Sequence, residues 1–276
     1  MPKIGYLGPK GTFSFEAATQ YIKNKSDYTA QDYQSIPEVI QAVAKGELDE
    51  GIVPIENSLE GAINVTLDLL AFEVDLKIKA EAVIDVCANL LVKKGTSPKD
   101  IKQILSHPQP LGQCRKYIST NYPAAEVKSV YSTAGAAEAV AQGNGDIAAI
   151  GSNTVAGLYG LEVLATNIQD VYTNRTRFVV VSNEDTSTTG SDKTSLVFST
   201  EDKPGSLYAV LDIFNLWDIN MARIESRPAK NQLGRYVFFV DIEGHCEDEN
   251  VKDALTMIKR KTSFYKFLGS YPQFKA

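Results

Sequence analysis

Short runs of β-branched and aliphatic residues alternate along the chain with stretches in which apolar positions recur every three or four residues. The runs at 3–7, 51–55, 101–105 and 146–150 predict strands. Each leads through glycine, proline or small polar residues into a helical pattern, at 15–22, 59–72, 110–119 and from Asn153 to about 160. The junctions carry Gly8 to Ser14, Glu56-Asn57-Ser58, Ser106-His107-Pro108-Gln109 and Gly151-Ser152-Asn153. Four such junctions are what an α/β sheet shows when its strand ends converge on one crevice. The first is a glycine turn whose helix start favours an anion, although the GKS/T ending of a P-loop is missing.

Two strand-rich stretches, 76–92 and 163–181, are placed to carry the chain from one sheet to another and back. Two lobes with a ligand cleft between them follow. The polar segment 182–192 lacks apolar side chains and predicts a linker. Beyond it the pattern changes to strands at 194–199, 220–226, 235–242 and 263–268, helices at 204–216 and 249–261, and a turn at 230–234. That order, βαββαβ, is the ferredoxin-like arrangement.

The most informative stretch is 159–181. Thr176 and Arg177 immediately precede Phe178 and Val179-Val180-Val181, so a hydroxyl and a guanidinium stand at the mouth of a buried strand. Composition narrows the chemistry. With 276 residues, 43% of them hydrophobic, the chain has material for two cores. A net charge of −6 with no basic stripe argues against nucleic acid as a partner. There is no signal-peptide h-region and no run of 18 apolar residues, so the expectation is a soluble cytoplasmic protein without membrane contact. Cys87, Cys114 and Cys246 are widely spaced and suit reduced thiols. His107 and His245 are the only histidines, which disfavours a histidine metal site or a serine–histidine triad. Hydroxyls, carboxylates, amides and arginine remain.

These blocks together resemble the monofunctional prephenate dehydratases with a C-terminal ACT regulatory domain. The resemblance rests on GPKGTFS from Gly8, PIENSLEG from Pro54, SHPQPLGQC from Ser106, YGL from Tyr159, TRF from Thr176 and ESRP from Glu225, all in family order across nearly the whole chain. No chorismate mutase helices precede the first strand, so the monofunctional form is expected. Departures are few. Gly205-Ser206-Leu207-Tyr208 stands where GALV is usual, Gly61-Ala62 replaces a glycine–serine pair, and residues 87–89 lack a histidine that relatives often carry.

The resemblance implies a type II periplasmic-binding-protein-like α/β catalytic domain over 1–183, with lobes at about 1–77 plus 160–183 and at 78–159. A linker at 184–193 and an ACT domain at 194–276 follow. It implies conversion of prephenate to phenylpyruvate in phenylalanine synthesis, without metal or other cofactor, because aromatisation drives the loss of water and carbon dioxide. Thr176 is the residue expected to help the hydroxyl leave, by polarising it or relaying a proton. Glu56 is the nearest candidate proton source. Asn57, Ser106 and Gln113 are expected to orient substrate, as are Thr12, Ser14 and Ser58. Arg177 either clamps a substrate carboxylate or braces the fold through a buried salt bridge.

In the ACT domain, Gly205, Ser206, Leu207, Asn220, Glu225, Ser226, Arg227 and Pro228 are the expected phenylalanine site, at a subunit interface of a dimer or tetramer. Phenylalanine bound there is expected to inhibit by shifting lobe closure. Two alternatives stand beside this reading: an arogenate dehydratase, and a non-catalytic two-lobed amino-acid sensor.

Overall fold

Three sheets organise the chain, and the computed structural model describes residues 1–25, 27–230 and 235–274 of it. The first sheet begins with β1 (Lys3–Leu7), β2 (Thr29–Tyr33), β3 (Glu50–Asn57), the short β4 (Gly61–Ala62) and β5 (Lys77–Asp85). Helices α1 (Phe13–Ile22), α2 (Ile36–Ala44) and α3 (Asn64–Phe72) connect these strands. The second sheet contains β6 (Asn89–Val92), β7 (Gln103–Ser106), β8 (Glu126–Ser129), β9 (Ile147–Gly151) and β10 (Glu162–Ala165). Its helices are α4 (Pro108–Gln113), α5 (Arg115–Asn121), α6 (Thr133–Gln142) and α7 (Asn153–Tyr159). The chain then returns to the first sheet as β11 (Arg175–Ser182). The third sheet is β12 (Asp192–Ser199), β13 (Met221–Pro228), β14 (Tyr236–Glu243) and β15 (Phe264–Pro272), with α8 (Ser206–Leu216) and α9 (Glu249–Lys261).

In the first sheet the order is β2-β1-β3-β11-β5. β1 is parallel to β2 and β3, and β11 is antiparallel to both its neighbours because it arrives from the other lobe. Phe178 to Val181 sit on this central strand and are fully buried, as their β-branched run predicts. The second sheet runs β10-β6-β9-β7-β8. Two lobes joined by two crossing segments form the type II periplasmic-binding-protein-like architecture. The third sheet, ordered β13-β14-β12-β15 under two helices, is the ferredoxin-like βαββαβ unit.

Several boundaries differ from expectation. β5 pairs with β11 in the first sheet and β10 pairs with β6 in the second, so the crossings fall at 86–88 and 166–174 rather than near 77 and 160. The continuous apolar character of 76–92 hides that break. The helix expected over 59–72 starts only at Asn64. Asn57 Oδ1 accepts from the amides of Leu59 and Glu60 at 3.0 and 3.1 Å, an Asx turn that folds the chain into the β3–β4 pair first. The helix expected over 110–119 is two helices that meet at Cys114. Asp192 and Lys193, expected in the linker, open β12 instead, and Asp192 ties down the linker through Thr188, Thr189 and Gly190. Of the expected turn at 230–234, residues 231–234 lie outside the described residues. All three cysteines are free, and only Cys114 is fully buried, where burial first and then Asp170 push its thiol up to about 12.

The third sheet has two buried faces. Leu196, Phe198, Val240 and Ile242 meet α8 and α9, which supply Val210, Phe214, Val251 and Ile258. Val197, Val237, Phe239, Leu268 and Tyr271 share a core with Leu70, Ile78, Val179 and Val181 of the first lobe. The third sheet therefore lies directly on the first. At Gly269 (φ +134°) the two backbones come so close that a side-chain carbon there would collide with the main chain of Ile78.

Candidate active site

Strand alternation divides β11 between two environments. Arg177, Val179 and Val181 point toward the third sheet, whereas Phe178 and Val180 pack on the α1 side. Thr176 falls with the second group and opens on the cleft between the lobes, a cavity of about 610 Å³. That size suits a small organic ligand. The walls come from the ends of β1, β3 and β11 on one side and from the turns after β7 and β8 on the other.

Asn57 lies directly opposite Thr176 in the β3–β11 ladder. Its Nδ2 donates to Thr176 Oγ1 at 2.9 Å and to Asn174 Oδ1 at 2.8 Å. Asn174 in turn donates to Gln113 Oε1 at 3.1 Å. This chain of amides runs from α4 of the second lobe to β11 of the first. It uses the lone-pair side of Thr176 and of Gln113 and leaves their donors free. Among the described residues no protein acceptor takes the Thr176 hydroxyl proton or the Gln113 Nε2 hydrogens. The Ser14 hydroxyl, also on the wall, is similarly without a protein partner there.

Three helices, α1, α4 and α6, start at the cleft, and hydroxyl side chains cap the first and the last of them. Thr12 caps α1 by accepting from the Phe15 amide at 3.2 Å and donating to the Leu7 carbonyl at 2.9 Å. Ser132 caps α6 by accepting from the Gly135 amide at 3.0 Å. The first amides of these two helices therefore face the cavity without intrahelical acceptors. Both ends carry partial positive charge, a setting for carboxylates. Among the described residues on the wall Glu60 is the only Asp, Glu, Lys or Arg, so an anion is met here by amides and hydroxyls rather than by a cationic side chain.

Thr12, Ser14, Asn57, Gln113 and Thr176 are thus brought together as expected around one cleft, the first lobe supplying all but Gln113. Four others are not. Glu56, one position from Asn57, faces the opposite side of β3, where it pairs with Arg223 at 3.3 Å and Arg177 at 3.7 Å. It is turned away from the cleft and cannot protonate a ligand there. Arg177 is no carboxylate clamp. Its guanidinium contacts Glu81 at 2.7 Å, Asp241 at 2.6 Å and the Tyr271 hydroxyl at 2.8 Å, so it braces the two domains. Burial works against that charge, but Tyr271, Asp241 and Glu81 hold the Arg177 pKa above its ordinary value. Ser106 is fully buried and donates to the Ile150 carbonyl at 2.7 Å, joining β7 to β9. Ser58 donates to the Thr173 carbonyl at 3.0 Å and accepts from the Arg175 amide at 2.9 Å, which fastens the loop before β11.

The cleft also has walls that sequence reasoning did not single out: Gln34, Val86, Glu60 and the Tyr131-Ser132-Thr133 turn. Ser132 reads as an ordinary helix cap, and the spacing to its partners is long-range, so no local pattern marks it. His107 lines the cavity while capping α4, its Nδ1 accepting from the Gln109 amide at 3.4 Å.

In the third sheet a hollow of about 320 Å³ is lined by Gly205, Ser206, Leu207, Tyr208, Tyr236 and Phe238, among others. Gly205 takes a left-handed conformation (φ +81°) to start α8. The expected effector block splits across β13. Ser226 and Pro228 are exposed and lie opposite Phe238 and Tyr236 in the ladder. Arg227 instead holds Asp68 of α3 through contacts of 3.0 and 3.1 Å, and Asn220 donates to Glu243 at 3.0 Å. Glu225 pairs with Phe239, whose side chain faces the first lobe.

Residues 4–186 match the family model described as prephenate dehydratase, and residues 194–256 match that described as the ACT domain. The chain is 43% identical over 271 residues to a bifunctional chorismate mutase/prephenate dehydratase of Aquifex aeolicus, covering 98% of this chain and 74% of that one. It is 38% identical over 281 residues to a prephenate dehydratase of Mycobacterium tuberculosis, covering 99% and 87%. A solved prephenate dehydratase from Arthrobacter aurescens, in complex with L-Phe, superposes with a TM-score of 0.89 at 36% identity, covering 98% of this chain and 90% of that chain.

Proposed function

The chain belongs to the prephenate dehydratase family and carries an ACT domain, and we propose that its cleft converts prephenate to phenylpyruvate under control of L-phenylalanine. The observation that supports this most is the Asn57–Thr176 pair. The Thr176 hydroxyl accepts from Asn57 and keeps its own proton for a ligand.

The reaction moves the electron pair of a ring-carboxylate bond through the ring to expel hydroxide. Carbon dioxide leaves, and one proton turns the hydroxide into water. Thr176 donates a hydrogen bond to the departing oxygen, and Asn57 fixes the rotamer that aims it. Positioned proton donation of this kind is worth about 10²–10⁴-fold in rate. The two substrate carboxylates sit at the starts of α1 and α6, with the Ser14 hydroxyl and Gln113 Nε2 as further donors. Their donors come from both lobes, so closure of the lobes completes the site. Water excluded by closure strengthens each of these polar contacts.

The catalytic unit is the two lobes over 1–183, and the third sheet is the regulatory unit. Phenylalanine occupies the Gly205 hollow, with Ser226 close by. Exposed Tyr208, Leu216, Ile224 and Tyr236 on that unit support self-association through it. No helix among the described residues is long and apolar enough to cross a membrane.

Incubation of purified protein with prephenate tests the reading by the appearance of phenylpyruvate enolate absorbance, with arogenate as a parallel substrate. Phenylpyruvate formation that falls as L-phenylalanine is added is the expected result. Turnover of arogenate alone would reassign the substrate, and turnover of neither would leave a binding protein.

A further inference from the structure

The charged cluster behind the cleft has no part in the chemistry above, yet it adjoins the reacting pair. Glu56 precedes Asn57, and Arg177 follows Thr176. In the β3–β11 ladder Thr176 faces Asn57 and Arg177 faces Glu56, so the reacting pair and the charged pair are consecutive rungs. The pleat sends the charged rung to the third sheet. There Arg177 Nη1 meets Asp241 Oδ2 at 2.6 Å, and Arg223 Nε meets Glu56 Oε2 at 3.3 Å. Arg223 and Asp241 are themselves cross-strand partners in the β13–β14 ladder. One rung of the ACT sheet thus holds one rung of the catalytic sheet. The β3–β11 register also shifts between Arg177 and Phe178, a bulge of the kind that re-aims side chains beside it.

The two contacts differ in quality. Arg177 is fixed by three short bonds, and its partners are fixed too. Asp241 accepts from Ser195, and Glu81 is held by Lys193 at 2.8 Å. Arg223 is loosely held. Its Nη2 is buried and has no partner among the described residues, while Glu56, its one ion-pair contact among them, is partly exposed. A buried donor left without an acceptor is costly, so the Arg223 side of this rung is the weaker of the two holds. β13 also carries Ser226, three residues along and beside the Gly205 hollow.

We propose that Glu56 and Arg177 are positioning residues for the Asn57–Thr176 pair, and that the Arg223–Glu56 contact transmits the state of the ACT domain to it. This rests on the reading of the cleft as a prephenate dehydratase inhibited by phenylalanine. Amino acid bound at the hollow displaces β13, Arg223 then pulls on Glu56, and the Asn57 amide loses its aim on Thr176. Arg177, anchored from three sides, keeps β11 still while β3 moves. Coupling between two sites is then a property of one rung, and the catalytic donors need not change.

The test uses the whole chain. Turnover of prephenate, inhibition by L-phenylalanine and calorimetric binding of L-phenylalanine are measured for the parent protein, Arg223→Gln, Glu56→Gln and the double variant. Arg223→Gln and Glu56→Gln are expected to bind phenylalanine as the parent does, while the concentration for half inhibition rises about fivefold or more in each. The double variant is expected to show no larger rise than the stronger single, because both changes break the same contact. Arg223→Lys is expected to restore part of the response. An unchanged half-inhibition concentration in Arg223→Gln, additive effects in the double variant, or loss of phenylalanine binding in Arg223→Gln would each overturn the proposal. A parent protein that turned over no prephenate, or ignored phenylalanine, would overturn the underlying reading instead.

Discussion

Thr176 and Arg177 are neighbours in sequence and face opposite sides of β11. The hydroxyl of the first opens on the cleft, while the guanidinium of the second lies 2.6 Å from Asp241 of the ACT sheet. One strand therefore serves chemistry on one face and domain assembly on the other. The alternation that every β-strand has is enough to separate the two tasks.

Arg177 is expected to matter for stability first. Removing one member of a buried ion pair leaves its partners charged and unmatched, at a cost of about 3–5 kcal/mol. Arg177→Met leaves Asp241 in that position, while Glu81 keeps Lys193 at 2.8 Å. Its urea midpoint should fall sharply. A variant with parental stability and a raised KM for prephenate would restore Arg177 as a substrate clamp.

Asn57→Ala combines both kinds of loss. The side chain satisfies Thr176, Asn174 and the amides of Leu59 and Glu60, so truncation leaves two buried groups, on Thr176 and Asn174, without this partner and frees two amides of exposed residues. Each such group costs about 1–3 kcal/mol. Chemical denaturation should show a clear drop, with turnover falling further than stability explains. Full activity in a folded Asn57→Ala protein would remove the amide from the site.

Acid sensitivity follows from Asp241. Burial opposes its charge, but Arg177, Arg223 and the Ser195 hydroxyl outweigh burial and hold the carboxyl below its ordinary value. A carboxyl depressed on folding adds stability that is complete above its unfolded pKa, about 3.9, and fades as pH falls through the folded value. Asp241→Asn should therefore lower the melting temperature at neutral pH, and its gap from the parent should narrow below about pH 4. A gap that stayed constant across that range would contradict the assignment.

Gly269→Ala probes the sheet-on-sheet contact. The residue has φ +134°, and an added methyl meets the Ile78 backbone, which cannot swing aside as a side chain can. Thermal melting should show destabilisation well beyond the roughly 1 kcal/mol typical of point changes. A neutral substitution would mean that the domains separate freely there.

Much of this was legible in the sequence, for local reasons. The start of α1 is legible because glycines and small hydroxyls precede a helical pattern, and Val179 to Val181 read as a buried strand because only a two-sided core tolerates such a run. The ferredoxin-like unit was legible from the order of its patterns alone. The faces were not. Glu56 and Asn57 are equally polar, and which of them meets the cleft depends on a bulge and on a sheet more than a hundred residues away. Ser106 looks like any hydroxyl at a strand end, and only the neighbouring Ile150 carbonyl shows that it is spent. The late start of α3 was hidden for a similar reason, since Asn57 caps a turn rather than a helix.

The central claim is that the Thr176 hydroxyl, aimed by Asn57, eases the departing oxygen from the ring. The direct measurement is kcat on prephenate for Thr176→Ser and Thr176→Val, both confirmed folded by thermal melting. Serine keeps the hydroxyl and should retain appreciable turnover, whereas valine keeps the shape and should lose about 10²-fold or more. Equal turnover in the two variants would contradict the account.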